Sequence, residues 1–429
     1  METQTKSKTS SLSPWYYVPS LYFAEGVPYM IINVVSTILY KRLGVSNEQI
    51  TLWTSFLYLP WVLKMFWGPF IDTYSTKRKW LLTSTLAMCA CLSVAAFSLQ
   101  LPNYFFISLA AFTVGGFISA TYDTATDGYY MLTLNPGQQA FFVGIRTFFY
   151  RLAMLFSSGF LVILAGNLEK STENIPLSWT ISIGVSAVLF AILFFFHAFI
   201  LPNPEANIES SSATKTVVVI PWIDVFRSYF QQNKIAIILA FILLYRFGEA
   251  MLLKLASVFL LDKVEVGGLG LATEDIGVIY GTYGLLALIC GGITGGVLIS
   301  KFGLKKSFFP MALALNVPDL FYVLMATLKP PIQYVYPLVA IEQFGYGIGT
   351  TAFMVYLMYI CKGEYKTSHY AISTGLMAFG MMIPGAISGF IQQAVGYPLF
   401  FTLVFLVTIP GMLTIFFVPI NEDENTKIA

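Results

Sequence analysis

Long apolar runs, each near twenty residues and separated by short polar breaks, fill almost the whole chain. They fall near 15–40, 49–71, 80–101, 104–133, 140–165, 178–201, 234–261, 275–299, 306–328, 332–361, 370–394 and 397–419. A helix needs about 20 mainly apolar residues to cross a bilayer, so the pattern predicts twelve membrane-spanning helices. The breaks carry turn chemistry, as in Leu101-Pro102-Asn103 and Asn135-Pro136-Gly137. Residues 1–14 and 420–429 read as polar tails. The run opening at Trp15 is too long for a signal-peptide core and lacks a small-residue cleavage site, so it is expected to be retained as the first span.

The longest break, 202–233, divides the spans into two sets of six, 15–201 and 234–419. It begins Ser-rich (Ser210-Ser211-Ser212), as a flexible linker does. Beyond Pro221, the residues Trp222, Val225, Phe226, Tyr229 and Phe230 recur at helical spacing opposite Asp224, Arg227 and Gln231. That spacing predicts a short helix lying in the membrane interface.

The two sets repeat each other. Tyr22-Phe23-Ala24-Glu25-Gly26 matches Arg246-Phe247-Gly248-Glu249-Ala250 at an offset of 224. Asn47-Glu48-Gln49-Ile50 matches Thr273-Glu274-Asp275-Ile276, and Gly144, Gly159 and Gly166 line up with Gly375, Gly389 and Gly396. Offsets that drift only from 224 to 231 over an ordered series point to a duplicated unit with parallel topology. The expected fold is an all-α membrane protein of twelve helices, six plus six about a pseudo-two-fold axis. That arrangement resembles the major facilitator transporters.

Composition fits the same picture. AVILMFWYC make up 57% of the chain and DEKR only 11%, too little charge to cover a soluble protein of 429 residues. A net charge of +2 with no basic stripe argues against nucleic acid as a partner. With both termini cytoplasmic, the cytoplasmic segments would hold fourteen Lys and Arg against five on the opposite side, a positive-inside bias. Cys89, Cys91, Cys290 and Cys361 sit in or beside apolar runs and read as small buried hydrophobes, while His197 and His369 lie far apart. No metal or cofactor is expected from them.

Four stretches narrow the family. Leu63-Lys64-Met65-Phe66-Trp67-Gly68-Pro69-Phe70-Ile71-Asp72, followed by Arg78-Lys79-Trp80-Leu81-Leu82, resembles the signature between the second and third helices of the AmpG muropeptide permeases. Ala120-Thr121-Tyr122-Asp123-Thr124-Ala125-Thr126-Asp127 resembles their fourth helix, and the stretch Tyr150–Gly159 their fifth. Leu244-Tyr245-Arg246-Phe247-Gly248-Glu249-Ala250 and Gly349-Thr350-Thr351-Ala352-Phe353 are similar to their second half. The resemblance implies a proton-driven importer of anhydro-muropeptides in the bacterial inner membrane, working as a monomer without a cofactor. The chain departs from that pattern at Glu25, where a small or hydroxyl residue is expected, and at Glu249, where Asp is commoner. Eukaryotic acetyl-CoA transporters share the element Lys64-x-x-Trp67-x-Pro69-x-x-Asp72, so export or import of an anionic conjugate is the alternative. A membrane-embedded enzyme is the remote one, since the chain has neither a nucleophile–base pairing nor a large extramembrane loop.

Eleven ionisable residues fall inside the predicted spans. Each costs about 3 kcal/mol at mid-bilayer, so they must line a wet cavity or pair with one another. Depth places Glu25 and Glu249 near the middle of their spans. In a facilitator fold the first, fourth, seventh and tenth helices face the cavity, which would bring Glu25, Asp123, Glu249 and Glu342 together. Glu25, Asp123 and Glu249 are the expected proton carriers. Asp72, Asp127 and Arg146 are the expected gate, with Asp127 or Asp123 bridged to Arg146 or Arg151. Arg246, Arg151 and Lys64 could grip an anionic cargo, as could Lys254. Tyr22, Tyr122 and Tyr245 could stack on sugar rings, and Glu342 is counted with this cargo-binding set. Asn316, Pro318 and Asp319 predict a local helix break with a polar cap.

Overall fold

A computed structural model of the protein describes residues 12–205, 222–361 and 365–420. The serine-rich opening of the linker and most of both tails lie outside them. Among the described residues no strand occurs, and nine helices are long and apolar enough to cross a membrane.

Helix α1 (Val18–Met30) continues through a widened turn, Ile31–Val35, into α2 (Ser36–Arg42). The first set continues with α3 (Asn47–Phe56), α4 (Leu59–Tyr74), α5 (Lys77–Ser98) and α6 (Tyr104–Thr133). Next, α7 (Pro136–Met154) passes through a second widened turn, Leu155–Leu161, into α8 (Val162–Thr172), and α9 (Ile175–Ile200) completes the set. Side chains start these helices where the sequence offers them. Ser46, Thr76 and Asn174 each accept a backbone N–H in the first turn, and Asn135 with Gln138 forms a reciprocal capping box.

The linker helix α10 (Trp222–Phe230) packs one face on the bundle and leaves Ile223 and Phe230 exposed. Its Val225 and Tyr229 are fully buried against Ile372, and the Tyr229 hydroxyl is 2.9 Å from that of Ser373. Phe226 stacks on Phe66 of α4 at 6.4 Å, so the segment is bonded to both sets.

In the second set, α11 (Ile235–Leu244) bends at Tyr245 and Arg246 into α12 (Phe247–Leu261). Helix α13 (Thr273–Val278) leads through a third widened turn, Ile279–Gly284, into α14 (Leu285–Phe302). Helix α15 (Leu304–Asn316) breaks at Val317–Asp319 before α16 (Leu320–Leu328). Pro318 lacks the N–H that a continuous helix needs there. Two long helices follow, α17 (Ile332–Ile360) and α18 (Lys366–Thr414). The latter turns at Gly396, whose φ of 74° suits glycine alone.

Outward faces carry Phe97, Phe199, Ile293 and Leu328 with 65–86% of their surface exposed. Such an apolar coat suits hydrocarbon and would aggregate in water. The basic turn Lys77-Arg78-Lys79 is partly committed to structure: Arg78 donates to the carbonyls of Leu201 and Ala198 at 2.9 and 2.7 Å, closing the end of α9.

The two sets meet through contacts that occur twice. A Cβ on Gly281 would lie 2.3 Å from the backbone of Gly159, and one on Gly389 would lie 2.4 Å from the Thr51 hydroxyl. The same spacing of 230 separates Thr51 from Gly281 and Gly159 from Gly389. One end of the bundle is further bolted across the two sets. Lys41 pairs with Asp262, and Lys170 with Glu274. Asn47 donates to Asp262 at 3.2 Å and to Gln392 at 2.9 Å, while the Tyr397 hydroxyl donates to Asp262 at 2.5 Å. Thr273 donates to Glu169 at 2.8 Å, and Glu169 also holds Arg42.

Candidate functional site

Between the two sets lies a cavity of about 540 Å³. Three features of the chain shape it. The widened turns at 31–35, 155–161 and 279–284 all present residues to it: Asn33 and Val34, Ser158, and Tyr280. A turn with one extra residue re-aims side chains and is common beside functional sites. Six tyrosines line the cavity, Tyr29, Tyr58 and Tyr150 from the first set and Tyr280, Tyr322 and Tyr346 from the second. Charge comes from Arg151, Lys254 and Glu342.

Those three groups are not equivalent. Glu342 is covered: Gln343 donates to it at 3.1 Å and the Tyr322 hydroxyl at 3.4 Å. Lys254 donates to the Thr54 carbonyl at 3.0 Å and hydroxyl at 3.1 Å, and its ammonium lies 5.2 Å from the Tyr58 ring. Arg151 touches the Met154 sulfur at 3.4 Å. Among the described residues, neither cation has a carboxylate within ion-pair distance. Arg246 stands just behind this wall, donating to the Tyr346 hydroxyl at 2.6 Å with its guanidinium 5.3 Å from that ring.

The four acids that the sequence brings together do not converge. Of Glu25, Asp123, Glu249 and Glu342, only Glu342 lines the cavity. Glu25 and Asp123 belong to a polar cluster inside the first set, where Asp123 pairs with Lys64 and Glu25 lies beside Asp123. Lys64 is therefore an internal ion-pair partner. Asp127 takes the Tyr22 hydroxyl at 2.9 Å and Arg146 at 3.3 Å, so the aspartate–arginine bridge between adjacent helices joins these two residues. Glu249 lies instead with Glu342 and Asp319, each bringing a carboxylate oxygen within 4.8 Å of the other two. Asp319 does not cap the break in its helix; it faces the other two acids.

The expected sugar-stacking tyrosines are also placed elsewhere. Tyr22 serves Asp127, Tyr122 is buried between helices with its hydroxyl on the Leu21 carbonyl, and Tyr245 stacks on Phe353 at 5.1 Å and donates to the Gly349 carbonyl. The side chain of Asp72 lies outside the described residues. Tyr29, Tyr58, Tyr150 and Tyr346 were missed. A usable signal existed for two of them, since Tyr29 and Tyr346 each follow an acid within a span, Glu25 and Glu342, by one helical turn.

A bundle with an apolar coat and a tyrosine-rich hollow carrying a few charged groups between two repeated sets is built as a membrane solute carrier. Residues 20–358 match the Major Facilitator Superfamily, and the chain belongs to it. It is 26% identical over 399 residues to the anhydromuropeptide permease of Escherichia coli strain K12, covering 91% of this chain and 77% of that protein. It is 24% identical to putative transporter AmpG 4 of Rickettsia felis, covering 94% and 95%. In structure it is similar to a D-xylose-proton symporter (TM-score 0.71, 12% identity, 95% and 97% covered) and to the nucleoside transporter NupG (0.67, 14%, 93% and 97%). These relatives are transporters, and the chain is a multi-pass facilitator-superfamily transporter.

Proposed function

We propose that this transporter imports anhydro-muropeptides or related anionic amino-sugars across the bacterial inner membrane, driven by protons. The observation that carries the reading is the cavity wall. Two cations, Arg151 and Lys254, face the hollow without a carboxylate partner, among tyrosine rings that suit sugar faces. A peptide or lactyl carboxylate would pair with Arg151 bidentately. Similarity to the anhydromuropeptide permease supports the cargo class.

In this reading the chain has twelve spans, six plus six, with both termini cytoplasmic. The bolted end, carrying Lys41, Arg42 and Lys170, faces the periplasm as the positive-inside bias requires. The halves rock about the cavity, breaking the Asp262 and Glu274 contacts to admit cargo. The coupling proton binds the Glu25–Asp123 pair, where its arrival competes with Lys64 for Asp123 and loosens α4 from α6. Asp127 and Arg146, at the opposite end from the bolts, act as the inner gate.

Uptake of radiolabelled anhydro-muropeptide into proteoliposomes, with and without an imposed pH gradient, tests this. Saturable uptake that rises with the gradient, and loses that rise in Glu25→Gln, is expected. Uptake indifferent to the gradient removes proton coupling. Transport of acetyl-CoA in preference to the muropeptide reassigns the cargo.

A further inference from the structure

We propose that Glu249, Asp319 and Glu342 form a metal-cation site in the second set, suited to a divalent, oxygen-preferring ion. The carboxylates come from three separate places in the fold. Glu249 lies in the first turn of α12, just past the bend at Arg246; Asp319 ends the break before α16; Glu342 sits inside α17. Their relative exposures are 0%, 1% and 1%.

A second observation points to a ligand here: two of the three carboxylates are wholly bare. Neither oxygen of Glu249 nor of Asp319 has a hydrogen-bond partner among the described residues. Asp123 has Lys64, Asp127 has Tyr22 and Arg146, and Glu25 leaves one oxygen, Oε2, without a partner among the described residues. Buried carboxylates left bare, with one oxygen of each residue close to the others, repel one another when ionised, and a bound cation or a retained proton relieves that.

Distance and charge both fit a divalent ion. Oxygens opposed across an ion with bonds of about 2.4 Å stand about 4.8 Å apart, within the calcium range, and the three donors span no more than 4.8 Å. Arg246 is the cation that interacts with Glu249. With all three carboxylates ionised around an ion, they and one guanidinium leave two negative charges, which one divalent ion neutralises. Donors that are all oxygen, with no Cys or His, favour calcium, magnesium or manganese over zinc or copper. Glu342 and Tyr322 also line the cavity, so an ion has a route in. Once bound, it would tie α12, the break at 317–319 and α17 into one rigid wall.

The inference stands apart from the cargo and is tested without it. Purified full-length protein in detergent is titrated with radiolabelled calcium, with magnesium and sodium as competitors. Saturable binding of one calcium per chain is expected, weakened more than about tenfold in Glu249→Gln and in Asp319→Asn and unchanged in Glu265→Gln, an exposed acid. Calcium should raise the Tm of the wild type, a readout that needs no variant to fold. Absence of saturable calcium binding by monodisperse wild type overturns the proposal. Binding unchanged in both variants, or sodium displacing calcium at equal concentration, does so too.

Discussion

Removing the Asp262 carboxylate tests how the bolted end is held. Asp262 pairs with Lys41 and also accepts from Asn47 at 3.2 Å and Tyr397 at 2.5 Å, all across the two sets or beside their seam. The Lys41 and Asp262 side chains are 16% and 11% exposed, so the pair lies between a solvated bridge and a fully buried one. Exposed pairs contribute about 0–1 kcal/mol and breaking buried ones costs about 3–5. With Asn left to keep part of the hydrogen bonding, Asp262→Asn should weaken the closed end by about 2 kcal/mol. That is roughly thirtyfold in the open–closed equilibrium, which would raise a 1% open fraction to about a quarter. Spin labels at Ser171 and Glu265, exposed positions at this end in the two sets, report the separation by pulsed electron resonance. A second, longer distance should appear in Asp262→Asn and be minor in the parent. A distance distribution that does not change would refute the assignment of this network as the bolt.

Three further outcomes follow from the packing. Arg151→Gln should raise the KM for anhydro-muropeptide about tenfold or more in vesicle uptake, the loss of one charge-assisted contact, with Arg151→Lys recovering part of it. Gly281→Ala should abolish or strongly slow uptake, because its Cβ meets the Gly159 backbone at 2.3 Å, whereas Gly296→Ala, with nothing within 4 Å, should behave as the parent. Tyr245→Phe should lower stability by about 1 kcal/mol through loss of the Gly349 hydrogen bond, read as a fall in Tm, and leave KM unchanged; a tenfold rise in KM would return Tyr245 to the cargo site.

The all-helical, membrane-spanning character was legible in the sequence because hydrocarbon thickness imposes a length that composition alone reveals, and nine such helices stand among the described residues. The breaks were partly so: Pro318 announced one, whereas the widened turns at 31–35, 155–161 and 279–284 carry no proline within them. The repeat was visible in Gly159 and Gly389, and it reappears as a contact made twice, since glycine at a backbone crossing is a constraint on one position. Pairing was harder. Asp127 with Arg146 could be read from neighbouring helices, but Lys64 with Asp123 joins the second span to the fourth, a separation that no local spacing encodes. Depth alone put Glu25 and Glu249 at one level and could not tell which way each side chain turns. Of twenty-five tyrosines, Tyr29 and Tyr346 carried a signal in the acid one turn before each, and nothing comparable marked Tyr58 or Tyr150.

The central claim is that a water-filled cavity between two repeated sets is what admits charge into the membrane. It is tested most directly by single cysteines in a background with Cys89, Cys91, Cys290 and Cys361 replaced. Cysteines at Asn33, Ser257 and Thr351, which line the cavity, are compared with cysteines at Phe97 and Ile293, which are 71% and 65% exposed on the outer coat. Reconstituted in vesicles and treated with a small charged thiol reagent, the first group should react and the second should resist. Reaction at Phe97 and Ile293 with none at Asn33, Ser257 and Thr351 would contradict the account.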